Sequence, residues 1–133
     1  MTVPNYDTER ALSVTLAAAV AVGQLVGIDA NGLGVLADAN STPIPARGFA
    51  VSGGAIGARI AICRSGRVEG FTGLTPGATV YTSPTAGGVT ETRPVTAGDI
   101  VQPVGYAVSA TAVDFFIGDP AFVIQAAGTS TIA

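Results

Sequence analysis

Lysine, histidine and tryptophan are missing from this chain, and Cys63 is its single cysteine. Without histidine, neither a serine nor a cysteine nucleophile can be given the imidazole base that such chemistry usually employs. One cysteine permits no intramolecular disulfide and no multi-thiolate zinc site. Cys63, in the run Ile60-Ala61-Ile62-Cys63, reads as a small apolar residue on a strand, in a chain suited to a reducing compartment or to assembly inside a cell.

Charge is also scarce, at 11% of residues against about 25% in an average soluble domain. Glycine, alanine, serine and threonine must then cover much of the surface, which favours association with other subunits. The formal net charge is −3, and the six basic residues, all arginine, form no basic stripe. Binding that depends on phosphate neutralisation is therefore excluded, and no nucleic-acid partner is expected.

The longest uncharged run, Ala11 to Ile28, is rich in Ala, Ser, Thr, Gly and Gln and poor in Leu and Ile. Leu12, Val14 and Leu16 alternate with Ser13 and Thr15, the period of a half-buried strand. Asp7, Glu9 and Arg10 precede it without the net positive charge of a signal peptide, so neither membrane insertion nor secretion is expected.

The carboxylates are scattered, with no close pair on a recognisable frame. Asp29-Ala30-Asn31-Gly32 lacks the later ligands of a calcium loop and reads as a hairpin turn. Gly53-Gly54-Ala55-Ile56-Gly57 lacks the lysine and the strand-to-helix setting of a phosphate loop. No catalytic residue, metal or cofactor is assigned, and the chain is not read as an enzyme.

What is present is punctuation. From Gly73 to Ile117, short β-branched runs alternate with Gly and Pro, the sequence form of tight antiparallel hairpins. A glycine, two residues, then Val or Ile occurs at Gly23 to Val26, Gly57 to Ile60, Gly77 to Val80 and Gly98 to Val101. Each glycine can supply a positive φ at a turn, and each branched residue restarts a strand. The spacings of 34, 20 and 21 residues are too uneven for a solenoid, so the device repeats inside one domain.

Strands are expected at 12–16 continuing through 17–22, at 24–29 and 34–37 around Asn31-Gly32, and at 46–51, 58–64, 67–71, 78–82, 100–109 and 112–117. The proline-bearing loop 38–45 cannot be an interior strand. In the segment Val104 to Ser109, alternation places Val104, Tyr106 and Val108 toward a core, leaving Gly105, Ala107 and Ser109 as a flat outer face. Of Phe115 and Phe116, alternation lets one face inward. Residues 1–10 read as an extended N-terminal arm, 11–118 as the β-domain, and 119–133 as a C-terminal tail or edge strand.

Arg47, Arg59, Arg64 and Arg67 lie within 21 positions, and arginine suits bidentate pairing with carboxylates at interfaces. With Tyr6 and Arg10 of the arm, these four are the candidate partner-binding residues. Pairing with the chain's own Asp and Glu is the competing explanation of the arginines. Tyr6, Tyr81 and Tyr106 are the only tyrosines that could serve a glycan site in a chain without tryptophan; packing in a core or turn is their simpler role.

The phrases Val20-Ala21-Val22-Gly23-Gln24-Leu25-Val26-Gly27-Ile28, Gly66-Arg67-Val68-Glu69-Gly70, Pro76-Gly77-Ala78-Thr79-Val80-Tyr81 and Val104-Gly105-Tyr106-Ala107 resemble those of capsid cement, or head decoration, proteins of tailed bacteriophages. The resemblance spans roughly residues 12 to 117 and rests on turn-and-strand phrases, which phage fibre modules share. It implies an all-β fold, a single compact β-barrel or tulip-like β-domain of short hairpins with an extended arm and tail. It also implies a homotrimer on the outer capsid surface of the virion, assembled in the host bacterial cytoplasm. There it would bind the major capsid protein and stabilise the expanded head. A structural or glycan-binding module of a phage head or tail fibre is the alternative.

Overall fold

Gly23, Gly57, Gly77 and Gly98 adopt φ values of 83°, 85°, 85° and 90°. In each case the following N–H donates to the carbonyl three residues earlier: Gln24 to Ala21, Ala58 to Ala55, Ala78 to Thr75 and Asp99 to Thr96. A bond of that span with a positive-φ glycine at the third position is the signature of a type II turn, and Pro76 supplies the fixed φ favoured at the second. Three of these turns are held to a neighbouring strand in the same way. The glycine N–H donates to the carbonyl of Ala50, Leu16 or Ala107, and that residue's own N–H donates to the carbonyl just after the glycine. The repeated sequence phrase is thus a repeated structural device, a turn followed two residues later by a strand.

The computed structural model describes residues 1–8, 11–40, 43–118, 122–124 and 130–132. Their strands, in chain order, are β1 (Thr2–Tyr6), β2 (Leu12–Thr15), β3 (Leu25–Ile28), β4 (Gly34–Leu36), β5 (Gly48–Ala50), β6 (Arg59–Cys63) and β7 (Ser65–Glu69). They continue with β8 (Thr79–Thr82), β9 (Val89–Thr90), β10 (Ile100–Val101), β11 (Pro103–Ala107), β12 (Ala112–Phe116), β13 (Phe122–Ile124) and β14 (Ser130–Ile132). The fold is all-β and antiparallel. One sheet runs β1-β7-β12-β11-β8-β9 and a second runs β2-β6-β5-β3-β4, with a small β10-β13-β14 sheet beside them. No helix of the described residues is long and apolar enough to cross a membrane.

The two large sheets share a core. Leu25, Phe49 and Cys63 from the five-stranded sheet meet Val68, Val80, Val104, Val113 and Phe115 from the six-stranded one. Phe49 stacks on Phe115 with ring centroids 5.1 Å apart, joining one sheet to the other. The opposite face of the five-stranded sheet is also buried, by Val14, Leu16, Val20, Val26, Ala50, Ile60 and Ile62. Burial on both faces explains why β3, β5 and β6 read as continuous apolar runs and not as alternating ones. A single residue, Arg64, separates β6 from β7, so the chain passes there from one sheet to the other.

Three expectations are corrected. The two large sheets do not close into a barrel. The five-stranded sheet curls until its edges touch, but one parallel bridge between Leu16 and Gly34 is the whole seam, because the chain leaves the strand direction at Ala17. For the same reason 17–22 does not continue β2; it turns and contributes only a bridge from Val20 to Gly54. The third correction concerns β11, where the register to β8 slips between Pro103 and Gly105. The extra residue turns Val104 and Ala107 inward and leaves Tyr106 outward and 43% exposed, so simple alternation fails there.

The two end segments also find places. Residues 2–6 are extended, as expected of an arm, and lie antiparallel to β7 as an edge strand. β13 pairs with β10 and β14 of its own chain.

Candidate interaction surface

The outward face of the six-stranded sheet carries a row of polar residues in direct cross-strand register. Asn5 lies opposite Arg67, Arg67 opposite Asp114, Asp114 opposite Tyr106, and Tyr106 opposite Thr79. Alternation along β7 and β12 sends Val68, Val113 and Phe115 inward, so Arg67 and Asp114 must face outward.

Arg67 grips Asp114 through two parallel bonds, Nε to Oδ1 at 2.6 Å and a terminal nitrogen to Oδ2 at 3.1 Å. Asn5 Oδ1 accepts the backbone N–H of Arg67 at 3.2 Å, tying the edge strand to the pair. Hydrogen bonding from Arg67 holds the Asp114 carboxyl below its ordinary range. Partial burial opposes that shift, and the Arg67 charge and the Tyr106 hydroxyl reinforce it. The same bond raises the Arg67 pKa, so the pair is ionised throughout the physiological range.

Beside this pair lies an open groove of about 290 Å³ between β1, β7 and β12, lined by Tyr6, Ser65, Gly66, Arg67, Asp114 and Phe116 among others. Phe116 is 68% exposed and Tyr6 42% exposed. Gly66 lies under it because a side chain there is impossible: a Cβ would fall 2.5 Å from the Asn5 carbonyl oxygen.

Of the candidate residues, the structure brings Tyr6 and Arg67 together at this groove. Arg59 lies on the other large sheet, where its Nε donates to Ser13 Oγ at 2.9 Å across to β2. Arg64 stands at the crossover between the sheets and Arg47 just before β5, and both have interactions within the chain. Pairing with a carboxylate of the chain accounts for Arg67, whereas Arg59 hydrogen-bonds hydroxyls of β2. Arg10 lies outside the described residues. Tyr81 is half-buried on β8, opposite Thr90 of β9.

Ser65, Asp114 and Phe116 are among the groove residues that were not candidate partner-binding residues. The usable signal was the Phe115-Phe116 pair, in which one ring had to be outward. Cys63 is 1% exposed within the shared core, and burial, then the charge of Asp7, pushes its thiol up from the ordinary value. Among the described residues no group of three or more Asp, Glu or Cys side chains could hold a metal ion. No protein-family model matches this chain, and no curated protein matches it.

Proposed function

We propose that this chain is a decoration, or cement, protein of a tailed-phage capsid, a homotrimer that binds the major capsid protein on the outer surface of the virion. In this reading the two-sheet body corresponds to the tulip-like β-domain of such proteins. The observation that carries it is the repeated turn-and-strand device: the phrases around Gly23 and Gly77 that resemble cement proteins form two of the three type II turns clamped to a neighbouring strand. A β-body with little charge suits a subunit whose work is contact.

The physics of the role is simple. A subunit that binds the assembled lattice but not its separated pieces stabilises the lattice by mass action. In a trimer, three modest contacts act together, and avidity raises affinity by about 10² to 10⁴ over a single contact.

The test is light scattering on the full chain together with cosedimentation with expanded heads of the phage that encodes it. A mass near three times 13.1 kDa and saturable binding to heads support the proposal. A monomer that binds no expanded head overturns it. Binding to isolated fibres in place of heads would favour the fibre-module alternative.

A further inference from the structure

We infer that the groove between β1 and β12 is a binding site for a neutral saccharide unit, an inference that does not rest on the capsid reading. Its composition carries the argument. Tyr6 and Phe116, both exposed, line it, and the outward Phe116 ring gives the C–H face of a sugar an apolar surface on which to lie. Other groups of the lining exchange hydrogen bonds with hydroxyls. Ser65 and the Tyr6 hydroxyl can donate or accept, and Arg67 keeps N–H donors beyond the two given to Asp114.

Electrostatics selects the neutral class. Arg67 and Asp114 cancel each other in a bidentate pair, and Asp7, the other charged residue of the lining, has an interaction of its own within the chain. The pair that faces the groove therefore offers no net charge to an ionic ligand. Size agrees: about 290 Å³ lies at the small end of ligand sites, on the scale of one pyranose ring and its waters.

The site is also prepared before the ligand arrives. Arg67 is held from one side by Asp114 and through its backbone by Asn5, so little conformational freedom is lost on binding. Addition of a peptide strand along the edge is disfavoured, because β1 carries Pro4 and a register slip between Thr2 and Asn5. The groove therefore offers the face of the sheet to a compact ligand, not its edge to a chain.

The experiment is a nuclear magnetic resonance titration of the full chain with methyl glycosides of glucose, galactose, mannose and N-acetylglucosamine, each up to tens of millimolar. At least one glycoside is expected to shift the amides of Gly66, Arg67 and Phe116 with a millimolar Kd. Phe116→Ala and Tyr6→Ala should each raise that Kd about tenfold or more, whereas Phe116→Tyr and the remote Val95→Ala should leave it unchanged. Phe116 is exposed, so its variants keep the fold, which their amide spectra will verify. The inference is overturned if no glycoside shifts the groove amides, or if the shifts survive Phe116→Ala. It is equally overturned if an apolar peptide shifts them and no glycoside does. Cosedimentation with heads is read separately, so failure here leaves the capsid proposal to its own test.

Discussion

The side chain of Gln102 hydrogen-bonds both backbone groups of Ala46, a residue 56 positions earlier: Oε1 accepts its N–H at 2.8 Å and Nε2 donates to its carbonyl at 2.9 Å. The same Oε1 accepts the Thr82 hydroxyl at 2.8 Å, and Gln102 is wholly buried. A single amide thus acts as a missing rung of β-ladder, joining the segment that leads into β5 to the junction of β10 and β11. Among the described residues no buried side-chain polar atom is left without a partner.

Gln102→Leu should therefore destabilise the protein by about 2 to 4 kcal/mol, because it strands the Ala46 N–H and carbonyl and the Thr82 hydroxyl in an apolar setting. Urea unfolding is the measurement. A midpoint shift with unchanged slope is expected, since the surface exposed on unfolding stays the same.

Gly77→Ala and Gly105→Ala should differ in size and in cause. Around Gly77 there is free space, so the substitution costs only the strain of φ +85°, about 1 kcal/mol. At Gly105 a Cβ would collide with the Asp114 carbonyl oxygen, forcing β11 and β12 apart at a cost of about 3 kcal/mol. Paired thermal melts of the two variants will show the gap, and Gly105→Ala should also alter the amide resonances of Asp114 and Phe115.

Phe115→Ala should cost about 3 to 5 kcal/mol, because the ring is fully buried and stacks between the sheets on Phe49. Phe116→Ala should change stability by no more than about 0.5 kcal/mol, since its ring stands in solvent. Denaturant midpoints of the two variants test the assignment of faces.

Asp114 makes stability pH-dependent in a definite direction. Its folded pKa lies below the unfolded one, so its contribution is present above about pH 4 and is lost as pH falls through the lower folded value. Asp114→Asn should melt slightly lower than wild type at neutral pH, with the difference shrinking under more acid conditions. Melting temperatures across an acid titration give the comparison.

Cys63 should resist alkylation in the folded protein and react at once in denaturant. Its thiol is buried against the core and its pKa is raised, which keeps the reactive thiolate scarce. Labelling with a chromogenic disulfide under both conditions measures this.

Much of the fold was legible because it is local. A glycine two residues before a strand, at Gly23, Gly57, Gly77 and Gly98, needs only its own turn to acquire meaning. Asn31-Gly32 similarly marked the β3–β4 hairpin, where the Asp29 carboxylate accepts the N–H groups of Asn31 and Leu33 and Gly32 takes φ 79°. Ala17 to Val22 was misread because alanine and valine leave the strand undecided, and only the contact of Leu16 with Gly34 sets where it ends. The face of Tyr106 was misread because a one-residue slip in pairing depends on the partner strand β8, which alternation within β11 does not register.

The candidate groove was less legible still. Tyr6 and Arg67 could be named from their residue types, but nothing local to either said that they would share a surface and that Arg59 would not. By itself, the sequence determined the all-β class, the hairpin turns, and an inventory in which histidine-assisted catalysis is impossible, since these depend on residue type and short spacing. Only the tertiary structure decided that β6 and β7 belong to different sheets, that Arg67 meets Asp114, and that Phe116 faces solvent. Those outcomes rest on register between strands far apart in the chain, and register is set by which faces the whole molecule can bury.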